Sequence, residues 1–506
     1  MSGITGLPEV SVEVAGASLA IGDANALEQV RVQQRLSLPT QCELAFVNPT
    51  GPLANGKALP RGDSLKVTVR GFSEPLFIGE VTAAEYSYDP SHRREVRLRG
   101  YDLLHRLRKR QPVRAHVQIN ARELASELVG DLGFSVEAAE DGPLSQRLIQ
   151  HRQSDLDLLI EVTQRCGLYF TIREDTLHLL TLEGIGEALP LVLGEKLFEA
   201  RVEVNGDQAS RSVLSSAWDP WRAEHHEGRT ATARVGRDIP ADFPPSRFGL
   251  TGERTLAGEI AQDDGQAEAM AQAELDMRVA REVTLTATAE GDPRLGPGSR
   301  VEIRGVAPPL SGYYVLTSVN HHLDHRTGYV SEISTSPPQI RSRARSATAA
   351  LGIVARVDDP EGLGRVRVSL PTHANVETEW MEVVTSGAGR NKGFVALPTV
   401  GDQVLVLFTH DDPAQGLVLG GLYGMHGPPD AGVEDGSVRR YTLLTEGGQK
   451  VLLDDTHKKI RMENAEGSFV ELSPEKVVIN SKVRLEIEAS GQPIVIRGKT
   501  IDFERG

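Results

Sequence analysis

From residue 451 to residue 503 one local pattern recurs. Apolar residues come in pairs with a single residue between them: Val451/Leu453, Ile460/Met462, Val470/Leu472, Val477/Ile479, Leu485/Ile487, Ile494/Ile496 and Ile501/Phe503. Charges and turn formers fill the gaps: Asp454-Asp455, NAEG at 464–467, SPE at 473–475 and SGQP at 490–493. A period of two means strands with one buried face. Strands this short at such even spacing predict a β-solenoid or a repetitive stack. One copy has too little apolar bulk to close a core, since the stretch holds no Trp and only Phe469 and Phe503 as Phe. The simplest remedy is that identical chains share the core. A needle of several copies is expected, with Ile460, Met462, Val470, Leu472, Val477, Ile479, Leu485 and Ile487 as its shared interior.

The 506 residues allow about three domains. With 39 % apolar and 25 % charged residues the chain reads as globular rather than disordered. Its net charge of −15 becomes three times that in a trimer, −45, which argues against a nucleic-acid partner. No run of 18 apolar residues predicts a membrane helix. The start, MSGITGLPEVSVEVAG, has neither the basic nor the apolar region of a secretory signal, so synthesis and folding in the bacterial cytoplasm are expected. Two cysteines, Cys42 and Cys166, are too few for a disulfide scaffold and read as buried thiols.

Residues 1 to about 110 alternate as short strands separated by turn clusters, which predicts a barrel or sandwich-like domain. Arg61-Gly62-Asp63 reads as an ordinary turn before a strand rather than an adhesion motif. Asn120 with Glu123 predicts a capped helix from Ala121, with Leu124, Leu128 and Leu132 on one face and Gly133 as its stop. Ser154 with Asp157 predicts a second helix, whose apolar face weakens at Thr163. A third helix is expected from about 265 to 281, then strands at 283–287, 300–303 and 313–319. His321, His322 and His325 cluster with Asp324, and His225-His226 precede Glu227. Adjacent strand residues point to opposite faces, so both groups read as polar strand ends rather than metal ligands. Two prolines and three arginines in STSPPQIRSRARSATAA (334–350) mark a linker.

Five short strands over residues 351–424 predict a closed barrel of the oligonucleotide/oligosaccharide-binding (OB) type. Its aromatics, Trp380, Phe394, Phe408 and Tyr423, are scattered and its acids include Asp411-Asp412, so a structural barrel is the better reading than a single-strand nucleic-acid binder.

Motifs in register across this barrel carry a family resemblance: GRVRVSLP at 364–371, Trp380, GFVALP at 393–398, VGDQVLV at 400–406, Asp411-Asp412-Pro413 and VLGGLY at 418–423. In this order they resemble the barrel of VgrG spike proteins and phage tail-spike hubs. Upstream, HRQSDLDLL at 151–159 followed by Cys166-Gly167-Leu168 resembles the hub segment of that family, and the tail from Leu443 its intertwined β-helical needle. The resemblance implies a mainly β homotrimer with some α. Its parts would be a hub of two barrel-like subdomains with inserted helices (1–336), a linker (337–350), the OB barrel (351–424), a second linker (425–440) and a triple-stranded β-helix needle (441–506). It further implies a spike that caps a hexameric inner tube among baseplate components, carries cargo effectors in some systems, and meets the target membrane only on penetration.

No catalytic residue, metal or cofactor is expected. Phage relatives with a lysozyme domain place it between barrel and needle, where residues 425–440 leave no room. The needle contains only His457, so an iron site built from alternating histidines is not expected. The chain ends at Gly506 with no effector after the last pair, so a separate PAAR-type tip is expected on Ile494, Ile496, Ile501 and Phe503. This layout points first to an extracellular contractile injection particle. The alternatives are a type VI secretion or prophage tail spike or, in another class, a cell-wall hydrolase spike, which would need a paired-carboxylate cleft.

Overall fold

Strand formation in the first third follows the alternation, but the sheet it builds extends much further. The computed structural model describes residues 9–56, 62–91, 93–207, 209–219, 224–242, 244–249, 251–339, 346–424 and 426–504. Arg61 of the Arg-Gly-Asp turn and the three arginines of the 334–350 linker lie outside the described residues. The chain divides into a unit of residues 1–420 and a unit of residues 421–506.

In the first unit eleven strands form one sheet. Its centre is a long-range pairing: Ser318–Asp324 lies antiparallel to Leu27–Arg35, with His321 opposite Val32 and Leu323 opposite Val30. One core, around Val32, Leu44, Phe46, Val67 and Leu98, includes Leu323 from the far end of the sequence. A second, around Leu285, Val301, Ile303, Tyr314 and Ile333, lies between the same sheet's other half, which carries Leu285 and Ile333, and a separate three-stranded sheet that carries Val301, Ile303 and Tyr314. The two expected barrel-like bodies are thus joined by continuous backbone pairing. The strand expected over 313–319 breaks in two, Gly312–Val315 and Ser318–Asp324. At the break, Thr317 donates from its backbone N–H to the Ser334 carbonyl (2.8 Å) and from its hydroxyl to the Ser336 carbonyl (2.6 Å). That corner sends the second piece across to Leu27–Arg35.

A third core lies under the helices Ala121–Val129 and Asp155–Arg165, around Leu124, Leu128, Leu156, Leu159 and Phe170. Both capping boxes form. Asn120 accepts from the Glu123 N–H at 2.9 Å while Glu123 accepts from the Asn120 N–H at 3.1 Å. The α-helix ends at Val129 and tightens through Gly130–Leu132 to Gly133, which takes φ +84°. Thr163 does not weaken the second helix's face. It is fully buried, and its hydroxyl donates to the Leu159 carbonyl at 2.8 Å. Asn120→Ala is expected to lower stability by about 1 kcal/mol, read as a shift of the urea midpoint at unchanged slope.

The third helix runs Asp264–Glu282, capped by Asp263. A polar strand the alternation did not reveal, Glu224–Thr230, packs on it. Gly228 makes this approach fit, because a Cβ there would stand 2.1 Å from the Glu268 nitrogen. His226 shares a bond with Asp264 and His225 with Ser216, on opposite faces. His321 is fully buried, with its ring nitrogens 2.9 Å from the Ser331 hydroxyl and 3.1 Å from the Leu295 carbonyl. Burial pushes its pKa down to about 4, so it serves as a neutral hydrogen-bonding strut.

The barrel strands are Thr348–Arg356, Arg367–Leu370, Val376–Glu377, Gln403–Phe408 and Gly416–Leu422. The strand expected at 380–384 is reduced to bridges, yet these close the barrel. Met381 exchanges both backbone bonds with Val366 (2.8 and 2.9 Å), and Val384 donates to the Val418 carbonyl at 2.8 Å. Val354, Val366, Val368, Met381, Val404, Val406, Phe408 and Val418 fill the interior.

Candidate functional site

Residues 440–480 form a five-stranded antiparallel meander: Arg440–Leu444, Lys450–Asp454, Lys459–Glu463, Phe469–Leu472 and Val477–Asn480. Its turns are set locally. Asn464 accepts from the Ser468 N–H at 2.8 Å, with Gly467 at φ +85°, and Ser473 Oγ accepts from the Lys476 N–H at 3.2 Å. Asp454 accepts from the His457 N–H at 3.0 Å.

The register aligns the apolar pairs into two columns on one face. Tyr441, Leu453, Ile460, Leu472 and Val477 stand opposite one another in succession, and Leu443, Val451, Met462, Val470 and Ile479 do the same beside them. Directly opposed side chains in neighbouring strands touch, so each column is a continuous apolar ridge.

The two faces of this sheet have the wrong exposures for a finished structure. Ile460 is 44 % exposed, Met462 49 %, Ile479 62 % and Val477 66 %. On the reverse face the Arg461 side chain is only 25 % exposed and that of Glu471 19 %. Arg461 pairs with Glu463 (3.0 Å) and Glu471 (3.1 Å), and its guanidinium lies 3.7 Å from the Phe469 ring centroid. The charged face is therefore furnished and the apolar face bare. Eight of the ten column side chains are exposed and Val451 and Val470 partly buried, so hiding them stabilises by roughly 1 kcal/mol apiece, on the order of 10 kcal/mol per chain. Where the meander begins, Arg440 donates to both Asp430 carboxylate oxygens (2.9 and 3.0 Å) and to Glu434, while Thr456 donates to Glu434 at 2.7 Å. The Arg440 guanidinium, with the Gly432 N–H, holds the Asp430 carboxyl down to about 2.

Of the residues expected in the shared core, Ile460, Met462, Val470, Leu472, Val477 and Ile479 stand on this one face. Tyr441 and Leu443, one repeat upstream, belong to it too. Their spacing by two is the same signal, read one strand too late. Within the single chain, each of the five strands from 440 to 480 pairs with the next one along. Leu485/Ile487, Ile494/Ile496 and Ile501/Phe503 lie outside any strand, and Phe503 is 92 % exposed. A strand needs a hydrogen-bonded neighbour, and among the described residues none pairs beyond Val477–Asn480.

On the barrel, Trp380 has Arg367 and Arg356 stacked 5.0 and 5.5 Å from its ring centroid, so its faces are occupied by the chain itself. Phe394, Val395 and Leu397 form a second exposed apolar group.

Comparison with known proteins matches two family models: the type VI secretion system/phage-baseplate injector OB domain over residues 350–423, and the Alg8 N-terminal domain over residues 9–325. The type VI secretion system spike protein VgrG3 of Vibrio cholerae is 24 % identical, over 63 % of this chain and 35 % of its own. The actin cross-linking toxin VgrG1 of the same species is 23 % identical, over 70 % and 34 %. The chain thus spans about a third of the length of these curated relatives. In fold it is similar to the E. coli c3393 protein, described as a type VI secretion component with structural similarity to T4 bacteriophage tail proteins gp27 and gp5 (TM-score 0.55, 11 % identity, 81 % of this chain and 99 % of the other). It is also similar to a chain of the half-lidded Francisella PdpA–VgrG complex (TM-score 0.56, 8 % identity, 93 % and 87 %).

Proposed function

The chain belongs to the Alg8 N-terminal domain family, and from that premise we propose that it is the central hub and spike of a contractile injection apparatus, working as a homotrimer. The bare two-column face carries this reading. Three copies that turn Tyr441–Ile479 toward a common axis cover all three apolar faces at once and leave the Arg461–Glu471 faces in water. Closed symmetry of this kind ends assembly at a defined number. The resulting shaft is thin, has a dry interior and is cross-braced by ion pairs. The task is mechanical: force delivered along the axis is carried by packed side chains, and no bond need be broken. In the hub, the two barrel-like bodies of each chain give six in a trimer, a fit to a hexameric inner tube.

Residues 481–504 gain strand partners in this arrangement, and Ile494, Ile496, Ile501 and Phe503 then supply an apolar platform for a PAAR-type tip protein. Ending the chain after Asn480 is expected to keep the trimer and lose the tip protein on co-purification. Retention of the tip by the shortened chain would move the docking site elsewhere. Synthesis in the bacterial cytoplasm and release within the assembled particle complete the reading. It predicts the chain in cleared culture medium, co-sedimenting with tube and sheath.

A further inference from the structure

The HRQSD segment that follows the hub strand Ser145–Gln150 meets the barrel, and the joint has two dissimilar ends. At one end the contacts are ionic. Arg147 donates to Glu379 Oε1 and to the Glu377 carbonyl, both at 2.7 Å, and Arg367 of the barrel shares Glu379 at 3.0 and 3.1 Å. At the other end two imidazoles meet. His151 and His373 have ring centroids 5.4 Å apart, tilted by 49°. His373 is 8 % exposed, sits edge-on to Phe408 at 5.8 Å and contacts the Thr372 hydroxyl through Nδ1 at 3.0 Å. His151 Nδ1 is buried without a hydrogen-bond partner.

The backbone around this second end is strained. Arg152 has φ +53°, Ala374 +54°, Asn375 +59°, His410 +54° and Asp411 +56°. Five non-glycine residues in the left-handed region thus gather in three loops about this contact.

We propose that this joint is an acid-released latch, in which a proton taken up by His373 parts the His151–His373 contact and frees the barrel end of the joint while Arg147 keeps the other end fastened. The charges that face His373 are His151 and Arg152 from the hub and Asp411 from the barrel. Burial, then His151 and Arg152, hold its pKa below the ordinary 6.5, and Asp411 works against them. The sign follows: the closed joint prefers the neutral ring, so closure is complete above 6.5 and is lost as pH falls from there toward the lower value in the closed state.

Hydrogen–deuterium exchange of the full chain at pH 8.0 and pH 6.0, corrected for intrinsic rates, tests this. Peptides covering 145–153 and 371–377 are expected to open up to about fourfold more at pH 6.0, the factor a single histidine of ordinary pKa supplies. Peptides from the Leu98, Leu124 and Val406 cores should be unchanged. In His373→Gln the pH response of the joint is expected to vanish. Equal protection of the wild-type joint at the two pH values overturns the proposal without recourse to the variant, and so does an unchanged pH response in His373→Gln.

Discussion

Ile460→Asp is expected to abolish the trimer at micromolar concentration while leaving the hub folded. Ile460 stands at the centre of its column, between Leu453 and Leu472. In the proposed trimer three copies of it meet at one level of the axis. Three carboxylates there would be stripped of water with no cation in reach, because Arg461 projects from the opposite face. Burying an unpaired charge costs several kcal/mol even after relaxation, and like charges at one level add to it. Against roughly 10 kcal/mol of burial per chain the balance tips to dissociation. Ile460→Val removes one methylene and should cost about 1 kcal/mol, with the trimer retained. Size exclusion with light scattering distinguishes the two. A stable Ile460→Asp trimer would mean that the face is not buried.

The largest effect on the hub itself is expected from Arg234→Ala. Asp276, on the helix Asp264–Glu282, is fully buried and accepts from the Arg234 backbone N–H (2.6 Å) and Nε (2.9 Å). The same guanidinium donates to the Cys166 carbonyl at 2.9 Å and pairs with Glu140. It thereby ties the third helix to the end of the second. Burial alone raises the Asp276 pKa, and Arg234 is its charged counterweight. Removing one partner of a buried pair costs about 3–5 kcal/mol, mostly as the uncompensated charge left behind. Calorimetry should show the hub transition lowered by several degrees, and Asp276→Asn in the same chain should recover part of it. A midpoint within about 1 °C of wild type would show that the pair carries no net stability.

Local chemistry was legible in the sequence. The boxes at Asn120 and Ser154 need only residues three apart, and the columns of the C-terminal sheet need only spacing by two. What stayed hidden depends on distant partners. Nothing in Gln29–Arg35 says that its neighbour is Ser318–Asp324, since any strand of suitable face could pair there. Glu224–Thr230 has no apolar alternation because its packing is made by Gly228 against a helix backbone. Thr163 looks like a gap in an apolar stripe until its hydroxyl is seen bonded to Leu159. The closing edge of the barrel rests on single bridges at Met381 and Val383, too few to leave a strand-length signal. The reverse error occurs at 485–503. There the alternation promises strands, but a strand is a property of two chain segments, and among the described residues no second segment pairs with this one.

The mass of the intact protein in solution tests the central claim most directly. Light scattering at micromolar concentration should give three times 54.9 kDa, about 165 kDa, with amides of the Tyr441–Ile479 sheet strongly protected from exchange. A monodisperse species near 55 kDa, with that sheet exchanging freely, would contradict the account.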